Sequence, residues 1–137
     1  MSNAILTSSQ YQNYRRIDLI VIHCSATPVT QRYTVDDCRR DHRARGFADI
    51  GYHYYITRDG VVHAGRPLHI VGAHATGYNA HSIGICYEGG LDKDGDPKDT
   101  RTPEQRAALR RLVNELMLRC SGVRVSFGFP SLSKPPS

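Results

Sequence analysis

The chain has 137 residues, enough for one domain and too few for two well-filled cores. Lys and Arg number 18 and Asp and Glu 13, a formal net charge of +5, with 39% apolar and 23% charged residues. That mixture excludes a disordered chain, a collagen and a coiled coil, and no apolar run approaches the roughly 20 residues of a membrane-spanning helix. The basic surplus suits an anionic partner or plain solubility; its densest cluster is Arg39, Arg40, Arg43 and Arg45.

Met1-Ser2-Asn3-Ala4 reads as a cloning remnant, and residues 1–16 together form this remnant and a polar N-terminal arm. No charged region, apolar stretch and cleavage site follow one another there, so no signal peptide is visible and synthesis in the cytoplasm is expected. Residues 17–24, Ile-Asp-Leu-Ile-Val-Ile-His-Cys, are β-branched and almost continuously apolar, the pattern of a strand buried on both faces. Pro28 is expected to end its pairing. Thr34 with Asp37 opens a helix as a capping box, and Gly46 closes it; Val35, Cys38 and His42 share one stripe.

Tyr52–Thr57 and Val61–Ala64 flank Arg58-Asp59-Gly60, a hairpin signal. Residues 66–81 read as a long loop of the kind that carries function. Ser82–Tyr87 is another strand, ended by Gly89-Gly90. Asp92, Asp94 and Asp96 look like the start of an EF-hand loop, but Pro97 and Pro103 occupy the turn and bidentate positions, so no calcium site is expected. Thr102-Pro103-Glu104-Gln105 opens the clearest helix, with an N1 proline and a capping box. Its apolar stripe is Leu109, Leu112, Val113, Leu116, Met117 and Cys120, and it ends near Gly122. Residues 123–127 form a last strand. The order β-α-ββ-loop-β-α-β predicts a single α/β domain over 17–127, a central mixed β-sheet of about five strands flanked by helices. An atypical Pro/Ser-rich tail, expected to be frayed, covers 128–137.

The four cysteines contain no CxxC pair; Cys24, Cys86 and Cys120 lie in apolar surroundings and read as buried free thiols. Seven histidines are available: His23, His42, His53, His63, His69, His74 and His81. A nucleophile elbow, a P-loop and a dinucleotide fingerprint are all missing. His23 stands out because it ends a buried strand that opens into a loop, where α/β folds place ligands. Strand alternation sends Cys24 to the opposite face. His53 likewise points away from Tyr52 in a regular strand and reads as structural.

Six segments in unbroken order resemble the zinc-dependent N-acetylmuramoyl-L-alanine amidases of type 2, a superfamily that includes bacteriophage lysozymes of amidase type and peptidoglycan-recognition proteins. They are Val21–Thr27, Gly51–Tyr55, Arg58–Gly60, Gly65–Pro67, Gly72–His74 and Asn79–Ile85. The resemblance implies an α/β amidase fold, peptidoglycan or its muropeptides as partner, and action on the bacterial cell wall. No nucleic acid is expected as a partner: +5 alone supports it, with no DNA-binding signature. In the family, two His and one Cys hold zinc and leave a position for water, whose pKa such a site lowers to ~7. By the same resemblance His23 matches the first zinc ligand, Tyr52 the active-site tyrosine, and His74 and Asn79 a loop that contacts substrate.

The family's second His and its Cys follow the last strand. Here Phe127-Gly128-Phe129-Pro130-Ser131-Leu132-Ser133-Lys134-Pro135-Pro136-Ser137 stands in their place, with no His after His81 and no Cys after Cys120. Lys134 lacks a neighbouring Cys, so the family's catalytic lysine is not assigned to it. The tail reads as foreign sequence joined to an intact domain, as an altered reading frame would produce. Two functions follow as expectations: a zinc-type hydrolase of the bond between N-acetylmuramic acid and L-alanine, whose activity in this chain is left open by the missing second His and Cys ligands, or a non-catalytic muropeptide-binding module.

Overall fold

The computed structural model describes residues 15–128; the N-terminal remnant and nearly all of the atypical tail lie outside the described residues. Strand β1 (Leu19–Cys24) is buried along its whole length. The reason is its place in the sheet: it pairs in parallel with β5 (Ser82–Tyr87) on one side and with β7 (Arg124–Phe127) on the other. β3 (Tyr54–Ile56) adds to β5 in parallel, and β4 (Val62–Ala64) closes the far edge antiparallel to β3. The order is β4-β3-β5-β1-β7, the mixed five-stranded sheet expected from the sequence. Gly60 adopts φ +85° in the β3–β4 turn, where its N–H donates to the Thr57 carbonyl.

One helix covers each face. In α1 (Val35–Ala44) and α2 (Pro103–Arg119) both capping boxes form as read: Thr34 with Asp37 and Thr102 with Gln105, each side chain bonded to the other's backbone N–H. Ile20, Ile22, Ile83 and Ile85 pack with Leu109, Leu112 and Leu116 of α2. On the opposite face Cys38 of α1 packs with Ile50, Tyr55 and Cys86. All four cysteines are buried and free.

Two local expectations are corrected. Met117 is 42% exposed, whereas Gln105 and Ala108 are buried, so the buried stripe of α2 is centred further toward its N-terminus. Gln105 belongs inside because its Nε2 donates to the carbonyls of Ile56 and Glu88. Pro28 does not end pairing. Thr27–Pro28 forms a short parallel strand β2 against β6 (Gly90–Leu91), with N–H groups of Thr27 and Val29 donating to Gly89 and Leu91. Only alternate residues of such a strand donate to the partner, and Pro28 takes the position that needs no donor.

Glu88 fastens this second sheet to the first. It is 4% exposed, and its carboxylate accepts from the backbone N–H of Tyr33 (2.7 Å) and of Arg58 (2.9 Å), with the Arg58 guanidinium 3.6 Å away. Arg58 in turn donates to the carbonyls of Pro28 and Gln31. Removing one partner of such a buried set strands the others, so Glu88→Ala is expected to cost about 3 kcal/mol, read as a lowered midpoint of denaturant unfolding at unchanged slope. A change below about 0.5 kcal/mol would contradict this role for Glu88.

Candidate functional site

Parallel register sets His23 beside Cys86 at the upper end of the sheet, on the α1 face. The ring is 6% exposed, and its neighbours are other aromatic rings: Tyr52 at 5.4 Å and His74, edge-on, at 5.0 Å between centroids. His23 Nε2 lies 2.9 Å from His74 Nδ1, and His74 Nε2 lies 3.1 Å from Ser82 Oγ. This approach requires a glycine at 84, because a Cβ there would stand 2.5 Å from the His74 ring. Asn79 holds the segment that carries His74: its Oδ1 accepts from the backbone N–H of His74 and of Ala75, both at 2.9 Å. His23, Tyr52 and His74 therefore share one cluster, while Asn79 braces the loop behind it.

The Tyr52 ring sits between His23 and His42, 5.4 Å from each. Burial first, then nearby Cys86 and Cys38 thiols, pushes its phenol well above the usual range, so the hydroxyl stays protonated. His42 accepts from the Gly51 N–H at Nδ1 (2.8 Å) and faces the Cys38 thiol with Nε2 (3.8 Å). His53 is 1% exposed and is tied at both ends: Nδ1 accepts from the Gly84 N–H (3.1 Å), and Nε2 donates to the Ile70 carbonyl (2.8 Å). The sequence reading did not single out His42, Ser82 or Cys86 for the site. Ser82 lies in the Asn79–Ile85 segment that carries the family resemblance, but no role was read for it there; its other advance signal is its place at the start of a strand beside the loop.

Burial lowers the imidazoles of His23 and His53 to about 4. His42 also falls to about 4, by burial and then by Arg45 and Arg66, and His74 to about 2, by burial and then by His23 and His53. The whole cluster is neutral at physiological pH.

A water-activating zinc needs three protein ligands and an open position. Among the described residues no group of three His, Cys, Asp or Glu is placed to hold a metal. His23 and His74 are bonded to each other, the Nδ1 of His42 is occupied by Gly51, and residues 129–137 contain none of these four types. The residues present thus do not fit the zinc centre that the family uses.

The N-acetylmuramoyl-L-alanine amidase family model matches residues 13–125. The chain is 42% identical over 113 residues to an endolysin of Klebsiella phage KP32, covering 82% of this chain and 75% of that protein. It is 36% identical over 107 residues to a peptidoglycan-recognition protein of Drosophila melanogaster, covering 72% of this chain and 59% of the relative. Among solved structures, the N-acetylmuramoyl-L-alanine amidase LysC from Clostridium intestinale superposes with a TM-score of 0.73 at 31% identity, over 90% of this chain and 75% of that one. The chain belongs to the N-acetylmuramoyl-L-alanine amidase family, and its fold is the one shared by phage endolysins and peptidoglycan-recognition proteins.

The buried histidines make stability pH-dependent. In the unfolded chain they titrate near 6.5, and in the fold near 4 or below. Between those values the unfolded state binds more protons, so stability is complete above about pH 6.5 and is lost as pH falls toward about 4. Denaturant unfolding at about pH 7.5 and about pH 5 is expected to give a clearly lower midpoint in the more acidic buffer. Equal midpoints would contradict the neutral cluster. Gly84→Ala is expected to cost about 1–3 kcal/mol by driving a methyl into the His74 ring, measured by thermal unfolding.

Proposed function

We propose that this chain is a peptidoglycan-binding member of the amidase family. It takes the junction of N-acetylmuramic acid and the stem peptide at the end of β1, beside His23, Tyr52 and His74, and does not cleave the amide bond on its own. The observation that carries this reading is the His23–His74 contact of 2.9 Å in a cluster where no three metal-binding side chains converge among the described residues. Hydrolysis of an amide needs an activated water and a partner for the oxyanion. Here Tyr52 is a protonated phenol directed toward Cys86, and the histidines are neutral and bonded to one another or to backbone. What these groups supply is recognition: aromatic faces for the sugar ring and neutral donors and acceptors for amides and hydroxyls. On this reading the protein is made in the cytoplasm and acts on the cell wall.

A second reading, hydrolysis of the bond between N-acetylmuramic acid and L-alanine, is favoured by the 42% identity to the phage endolysin. The two separate in one assay. Purified peptidoglycan incubated with the protein, with and without added zinc, is expected to sediment it and to release no new amino termini. Tyr52→Ala is expected to weaken binding about tenfold, or ~1.4 kcal/mol. New L-alanine amino termini would establish the hydrolase instead, and failure to sediment would overturn the binding reading.

A further inference from the structure

We propose that the outward face of α2 docks on an anionic lipid bilayer surface. Arg110 and Arg111 meet the headgroup phosphates there, and Met117 and Leu118 enter the boundary between headgroups and acyl chains.

The basic surplus is not spread evenly along the chain. Residues 1–99 hold eleven basic and eleven acidic side chains, so the whole surplus of five lies in residues 100–137. Six arginines stand there in α2 and its flanks against two glutamates, Glu104 and Glu115, with Lys134 in the tail. Arg101 and Arg106 pair with Asp99, and Arg119 pairs with Glu115. Among the described residues the side chains of Arg110 and Arg111 make no hydrogen bond or ion pair, and both are exposed. This sets them apart from the arginines of α1, which carry their own carboxylates.

Helix geometry gathers these two charges with the exposed apolar side chains. The inward stripe of α2 is Gln105, Ala108, Leu109, Leu112 and Leu116. At about 100° per residue, Arg110, Arg111, Asn114, Met117 and Leu118 fall within an arc of about 120° on the other side. Leu118 is 86% exposed, the most exposed of the large apolar side chains described, and Met117 is 42% exposed. A helix that presents arginines and large apolar side chains together to solvent has the make-up of one lying in a lipid interface. Guanidinium groups give phosphate oxygens charge-assisted hydrogen bonds. The acyl boundary takes the leucine and the methionine, for which a nucleic acid backbone offers no apolar phase. A second copy of the chain, docked by this face about a two-fold axis, would set Arg110 and Arg111 against their own equivalents. The charge therefore selects an anionic surface over self-association. The face lies across the sheet from the His23 cluster, because α2 packs on Ile20 and Ile22 while His23 lies on the α1 side. The protein can thus rest on a bilayer with its cluster directed away from it.

Flotation of the full chain with lipid vesicles tests this. The protein is expected to float with vesicles of equal phosphatidylglycerol and phosphatidylcholine and to stay behind with phosphatidylcholine alone. Sodium chloride at about 0.5 M is expected to release it, since two exposed charges are screened there. Arg110→Glu/Arg111→Glu is expected to weaken binding at least about tenfold. Leu118→Ser is expected to weaken it about fivefold. Thermal unfolding midpoints are expected to stay unchanged in both variants, since these side chains touch solvent. Equal flotation with both kinds of vesicle, or with neither, overturns the proposal. So does wild-type binding in the arginine variant. A dimer in sedimentation velocity that Leu118→Ser dissociates would assign the face to a second copy and overturn the lipid surface. Retention on duplex DNA that the arginine variant loses and Leu118→Ser keeps would overturn it in favour of nucleic acid.

Discussion

Parallel pairing of β1 on both edges is the constraint from which the rest follows. A strand held between β5 and β7 has no freedom to slip or twist out, and its register with β5 sets His23 beside Cys86, on the same face of the sheet as Gly84. Gly84 then leaves the space into which the His74 ring drops. The long loop from Arg66 to His81 is thereby pulled down onto the sheet, and Asn79 fixes its turn. The cluster is a product of sheet register first and of loop conformation second.

Its electrostatics follow from the same burial. Four imidazoles and a phenol that are withdrawn from water stay neutral, the imidazoles each tied to backbone or to another ring. The arginines that looked in sequence like an anion-binding cluster are largely neutralised by their own helix and its neighbour. Arg39 pairs with Asp36 and Asp49, Arg40 with Asp37 and Asp41, and Arg43 with Asp49. A neutral polar cluster flanked by paired surface charges suits a glycan–peptide better than a polyanion.

Much of this was legible in the chain itself. Continuous apolar character announced β1, and Thr34 and Thr102 announced both helices, because a cap is a local interaction written in four residues. The six segments around His23, Tyr52, His74 and Asn79 identified the family. What escaped depends on distant partners. The His23–His74 bond joins residues 51 apart, and neither residue carries a local mark of the other. Glu88 sits between Tyr87 and Gly89 with nothing to show that it is buried, since its partners are backbone groups of Tyr33 and Arg58. Arg15, in what reads as a polar arm, is buried and donates to the carbonyls of Leu68 (2.9 Å) and Ser82 (2.8 Å). Pro28 looked like a terminator because the alternation of donors along a parallel strand appears only once β6 is in place.

Metal content bears most directly on whether the cluster at the end of β1 works as a binding surface or as a metal centre. After equilibration with zinc and dialysis, elemental analysis of the purified chain is expected to find far less than one zinc per chain, because among the described residues no two further ligands are placed with His23 to hold a metal. One zinc retained per chain, lost on replacing His23 by Ala, would contradict the metal-free cluster and return the protein to the hydrolases.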